Sequence, residues 1–134
     1  SRGLGDVYKR QEKISILANT SAFIMQNFQD ISWVGFYLFK NTELIFSENI
    51  SSEVFYQRYW VKAICESKVK LFKDGCDFDV GDLNIIMSEL NALGAWATEN
   101  LSGIDLKYMS ERIENLKSVL PQACKCKGGK FYIF

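Results

Sequence analysis

The sequence predicts an α+β domain, a mainly antiparallel sheet with flanking helices. Three observations predict it. Strand-like runs at 31–39 and 43–46 are separated only by polar turn residues, as in a hairpin. A second alternating pair, 68–73 and 76–80, is joined by Asp74-Gly75, which tolerates the positive φ of a tight turn. Two later stretches carry apolar residues at spacings of three and four, the period of an amphipathic helix. Hairpins imply antiparallel neighbours, and each helical stripe needs a sheet face to cover.

The elements follow in order. Ile14, Leu17, Ala18, Ser21, Ala22, Met25 and Phe28 form one stripe and predict a helix over 12–28. The run 31–39 is rich in aromatic and β-branched residues, so alternation places Trp33, Gly35, Tyr37 and Phe39 on one face. After Lys40-Asn41-Thr42 the short strand 43–46 completes the hairpin. Tyr56, Tyr59, Trp60, Ala63 and Ile64 fit a helical face, with an alternating strand as the rival reading. Asp82 is placed to cap a helix whose stripe is Leu83, Ile86, Met87, Leu90, Leu93 and Ala97. Asp105 is placed to cap the next, with Leu106, Met109, Ile113, Leu116 and Leu120 inside and Pro121 closing it. Gly128-Gly129 precede a final strand at 130–134. The expected order is therefore α-β-β-(α or β)-β-β-α-α-β.

Composition narrows the function. A chain of 134 residues with 48% hydrophobic and 24% charged residues and one proline suits a single globular domain and excludes a disordered or low-complexity segment. Its apolar runs fall far short of the roughly 20 residues that span a bilayer. Sixteen basic residues balance sixteen acidic ones, so no general attraction to nucleic acid or to an anionic membrane is expected. There is no histidine, which removes Ser-His and Cys-His nucleophile pairs and histidine-containing metal sites. No dinucleotide fingerprint or P-loop is present, and no cofactor is expected.

Two resemblances divide the chain. Residues 1–11, Ser-Arg-Gly-Leu-Gly-Asp-Val-Tyr-Lys-Arg-Gln, resemble an in-frame translation of a sequencing adapter and are set aside from fold reasoning. They carry Arg2, Lys9 and Arg10 against Asp6, a net of +2, which leaves −2 on the remainder. The second resemblance lies in 17–46. Leu17-Ala18-Asn19-Thr20-Ser21-Ala22, then Asp30-Ile31-Ser32-Trp33-Val34-Gly35-Phe36-Tyr37-Leu38, then Glu43-Leu44-Ile45-Phe46 resemble the opening helix and first hairpin of the GAF-domain free methionine-(R)-sulfoxide reductases. The resemblance implies a GAF sheet-and-helix fold, a cytoplasmic setting, free methionine sulfoxide as substrate and thioredoxin as electron donor. It also implies that Trp33 and Tyr37 help line the substrate pocket. Read from the residues alone, the same two rings are core packing.

The chemistry the family needs is a thiolate that attacks the sulfoxide sulfur and a second thiol that resolves the sulfenic acid. Here the sequence departs from the pattern. Counting from the matched strand, the family's first cysteine falls on Phe55, and its later cysteine motifs are not recognisable. No catalytic residue is carried over. The abrupt end of the resemblance divides the chain into a GAF-like part at 12–50 and an unassigned α+β part at 53–134, as a joining of two coding pieces would. The cysteines present are Cys65, Cys76, Cys124 and Cys126. Their spacing is poor for structural zinc, which favours two short-spaced pairs, and no metal site is assigned. Cys124-Lys125-Cys126 has lysine neighbours that favour thiolate, but so short a loop strains a disulfide. Asp74, Asp77, Asp79 and Asp82 lack the EF-hand order and are read as turn and cap residues.

Two functions remain. The first is a partial or degenerate GAF domain, lacking catalytic cysteines, that binds free methionine sulfoxide at Trp33 and Tyr37. The alternative is a small non-catalytic α+β interaction protein of the immunity or antitoxin kind, which meets a protein partner through its C-terminal segment. Tyr56, Tyr59 and Trp60 are its candidate anchors, with core packing as the rival reading, because tyrosine and tryptophan are enriched in binding hot spots.

Overall fold

The computed structural model describes residues 33–41, 43–123 and 125–133. The predicted helix at 12–28, the adapter-like 1–11, Cys124 and Phe134 lie outside the described residues. Among those described, the fold is α+β, with a four-stranded antiparallel sheet and three helices. Strand β1 (Trp33–Lys40) pairs with β2 (Glu43–Ser52). Helix α1 is α-helical at Glu53–Phe55, π-helical at Tyr56–Trp60 and α-helical again at Val61–Glu66. A loop leads to β3 (Asp77–Asp79), a 3-10 turn (Val80–Asp82), helix α2 (Leu83–Asn100), helix α3 (Gly103–Ala123) and strand β4 (Lys130–Ile133).

The strand order is β2-β1-β4-β3. The last strand therefore sits between the first and the third. Phe36 lies opposite Ile133 and Tyr37 opposite Tyr132, while Phe78 lies opposite Phe131. Alternation along β1 sends Val34, Phe36 and Leu38, all fully buried, to the helical side. Phe36 is the hub of that side. Its ring lies 6.2 Å from Phe46 of β2, 6.4 Å from Phe72 of the loop, 5.9 Å from Phe78 of β3 and 5.0 Å from Phe131 of β4. Residues on both sides of the boundary drawn between 50 and 53 thus enter one continuous hydrophobic core.

The helical stripes behave as their spacing predicts. Ile86, Leu90, Leu93 and Ala97 of α2 and Met109, Ile113, Leu116 and Leu120 of α3 are buried. Leu83, Met87 and Leu106 pack at their edges. The rivalry over 56–64 resolves to a helix. Its π segment stacks Tyr56 on Trp60 at 6.2 Å with planes 7° apart. Both rings are core, 3% and 0% exposed, so neither serves as an interface anchor.

Four local expectations are corrected. The 68–80 hairpin does not form. Helix α1 ends instead in a Schellman-type cap, with Lys68 in the left-handed region at φ 56, Lys68 N–H on the Cys65 carbonyl at 3.3 Å and Val69 N–H on the Ile64 carbonyl at 3.0 Å. Val69 and Phe72, three apart, then enter the core. The Asp74-Gly75 turn delivers Cys76 to β4, where Gly75 N–H donates to the Ile133 carbonyl at 2.8 Å. Strand β2 runs six residues past Phe46, with Ile45 and Ile50 as extra residues at two bulges. Asp82 caps no N–H of α2; its carboxylate accepts from Asp79 N–H at 3.0 Å, before the 3-10 turn. Helix α3 starts at Gly103 and passes through Pro121 to the buried Ala123, because proline's fixed φ suits a helix and costs it one bond in the last turn.

Candidate functional site

Trp33 and Tyr37 stand on the sheet face turned away from α2 and α3. They share it with Gly35 and Phe39, as four successive outward positions of β1. Both rings are half-buried, whereas Phe39 is 3% exposed. The Tyr37 ring folds back along the strand over Gly35, filling the space a Cβ would occupy there. Glycine at 35 is thus what lets Tyr37 lie flat toward Trp33. Across the next strand, Tyr132 sits opposite Tyr37 and packs edge-on against Phe39 at 5.8 Å. The sequence missed Tyr132, because only the pairing of β1 with β4 brings it beside the wall.

A charged edge borders this aromatic row. Lys130 lies opposite Phe39 in register and its Nζ meets Asp77 Oδ2 at 3.1 Å. The hydrogen bond from that ammonium to Asp77, reinforced by the charges of Asp77 and Asp79, raises the Lys130 pKa.

The described cysteines do not gather at the wall. Cys65, Cys76 and Cys126 lie on three different segments: α1, the residue before β3, and the turn before β4. Cys76 Sγ donates to the Lys70 carbonyl at 3.6 Å. No group of three or more histidine, cysteine or acidic residues suited to a metal occurs among the described residues. No helix among them is long and apolar enough to cross a membrane.

A second aromatic group lies where α1 meets the start of α3. Phe55 packs on Tyr59 at 4.8 Å and on Tyr108 at 4.6 Å. Tyr59 Oη donates to Asp105 Oδ2 at 2.6 Å, and the Arg58 guanidinium covers the Tyr59 ring. Asp105, expected to cap α3, is therefore in its first turn and serves as this acceptor. The bond to Asp105 holds the Tyr59 phenol above its ordinary pKa, with burial and the Asp105 charge adding to it. Val54 and Ile104, at the beginnings of α1 and α3, are 72% and 86% exposed.

Among the described residues, two surface hollows stand apart from this group. One, of about 260 Å³, runs between α2 and α3 past Asn91, Gly94, Thr98 and Ser110. The other is bordered by Glu66, Trp96 and Glu99, and there Trp96 Nε1 donates to Glu66 Oε1 at 2.9 Å. Neither touches Trp33 or Tyr37.

No known protein family, curated protein or solved structure matches this chain.

Proposed function

We propose that the chain is a non-catalytic, GAF-type small-molecule-binding domain of the cytoplasm, with Trp33 and Tyr37 as the aromatic wall for free methionine sulfoxide. One observation carries this reading. Trp33 and Tyr37 keep partial exposure on the face opposite the helices, while the intervening Val34 and Phe36 are fully buried on the other. The placement of the described cysteines on separate segments supports binding without thiol chemistry. The test is calorimetry of the full chain with free methionine-(R)-sulfoxide, beside a thioredoxin-coupled turnover assay. Binding that Trp33→Ala abolishes, without turnover, is the expected result. Absence of binding overturns the reading, and thioredoxin-dependent turnover overturns its non-catalytic part.

A second reading, a protein-interaction module, draws on the exposed Val54 and Ile104 beside the Tyr59–Asp105 group. It requires a partner whose capture is lost in Val54→Asp and Ile104→Asp and kept in Trp33→Ala. Capture insensitive to both aspartate substitutions removes it.

A further inference from the structure

The loop after α1 holds a binding geometry that the aromatic wall does not use. Three successive backbone N–H groups, of Lys70, Leu71 and Phe72, converge on the Glu89 carboxylate of α2. Lys70 N donates to Oε2 at 2.7 Å and Phe72 N to Oε1 at 2.8 Å, while Leu71 N is shared between the two oxygens at 3.1 and 3.3 Å. Consecutive N–H groups turned to one point form an anion-binding nest, the backbone arrangement that cradles oxyanions. Here the nest already holds two carboxylate oxygens.

The loop that carries these N–H groups is rich in lysine. Lys68, Lys70 and Lys73 lie within six residues, and none has an ion-pair partner among the described residues. Against these three cations stand Asp74 and Glu89, which leaves one positive charge uncompensated even with Glu89 in place. A single carboxylate satisfies the N–H groups but not the lysines. A tetrahedral dianion would address both, because it offers more acceptor oxygens and more charge than a carboxylate.

We propose that 68–73 is an oxyanion site of the phosphate class, in which Glu89 acts as an internal ligand that an incoming phosphate displaces from the three N–H groups. Binding there competes with the tie between this loop and α2, so the anion and Glu89 exclude one another. No bond is made or broken; the exchange is of hydrogen-bond acceptors only.

The test is a titration of the full, isotopically labelled chain with inorganic phosphate, against chloride at matched ionic strength, followed by amide NMR. In the wild-type chain the Lys70, Leu71 and Phe72 resonances move weakly with phosphate. In Glu89→Gln, which keeps a neutral acceptor and loses the competing charge, they saturate at about tenfold lower phosphate. Replacing Lys68, Lys70 and Lys73 together by Gln abolishes the movement. If neither the wild-type chain nor Glu89→Gln shows phosphate-specific movement of those three amides, the proposal fails. It fails equally if the triple glutamine variant responds like wild type. Should Glu89→Gln not fold, the wild-type titration and its lysine dependence decide.

Discussion

Arg112 of α3 donates through Nε to the backbone carbonyl of Ile50 at 3.2 Å. Ile50 is an extra residue at a β2 bulge, so its carbonyl falls out of step with the ladder to β1. The same guanidinium reaches the Asn49 carbonyl and pairs with Glu48 at 3.0 Å. One planar cation thereby serves the bulge and ties the sheet edge to the helix. Replacing it by Met leaves those groups partly buried without a donor. Arg112→Met is expected to cost about 2 kcal/mol, since hydrogen bonds to charged groups run at about 1.5–3 kcal/mol. Lysine cannot reproduce the fork, so Arg112→Lys recovers less than half of the loss. Urea unfolding of the three chains measures both.

Phe36→Ala tests the shared core. The ring contacts aromatic residues of β2, the loop, β3 and β4. Truncating a buried phenylalanine costs about 3–5 kcal/mol. Because the contacts join residues before and after position 50, hydrogen exchange in β2 and in α2 is expected to accelerate together. Acceleration confined to the hairpin would show that the two parts unfold independently.

The Tyr59–Asp105 bond sets an alkaline limit. The folded phenol has a pKa above that of the unfolded chain, so its contribution is complete below about pH 10. The contribution is lost as pH rises through the raised folded value, where the phenolate can no longer donate to Asp105. Lys130, also raised, has the same sign and loses its contribution in the same direction. Denaturation midpoints compared between pH 8 and the alkaline range should fall less in Tyr59→Phe than in wild type.

Lys68→Gly should stabilise the chain. A left-handed backbone costs a non-glycine residue about 1–2 kcal/mol, part of which is returned as greater freedom in the unfolded chain. A net gain of about 0.5 kcal/mol is expected, visible as a higher thermal midpoint. An unchanged or lower midpoint would mean that the Lys68 side chain contributes more than its backbone costs.

Gly35→Ala examines the aromatic wall without touching its rings. The added methyl group occupies the space under Tyr37 and forces that ring to swing away. Because the obstruction is the far end of one side chain, stability should change by under about 1 kcal/mol. The fluorescence of Trp33 and any affinity for methionine sulfoxide should change much more.

Regular periodicity carried most of the fold that was legible in the sequence. The stripes from Leu83 to Ala97 and from Leu106 to Leu120 fixed α2 and α3, and the aromatic alternation of 33–39 fixed β1. The 68–73 run misled because Val69-Lys70-Leu71-Phe72 alternates like a strand while its N–H groups go to Glu89, seventeen to nineteen residues away. No local pattern announces such a partner. Lys68 hid the end of α1 for a similar reason, since the left-handed cap position there lacks the usual glycine. At the candidate site, the shared face of Trp33 and Tyr37 was legible from two-residue alternation. Tyr132, Lys130 and Asp77 were not, because they reach the wall only through long-range strand pairing.

The placement of β4 governs how the molecule can be made. Its four residues fill the gap between β1 and β3, so on a ribosome the sheet stays split until 130–133 clear the exit tunnel. Until then two raw hydrogen-bonding borders face each other across a slot, each able to recruit a foreign strand. Completion of the sheet therefore waits on the strand that comes last in the element order.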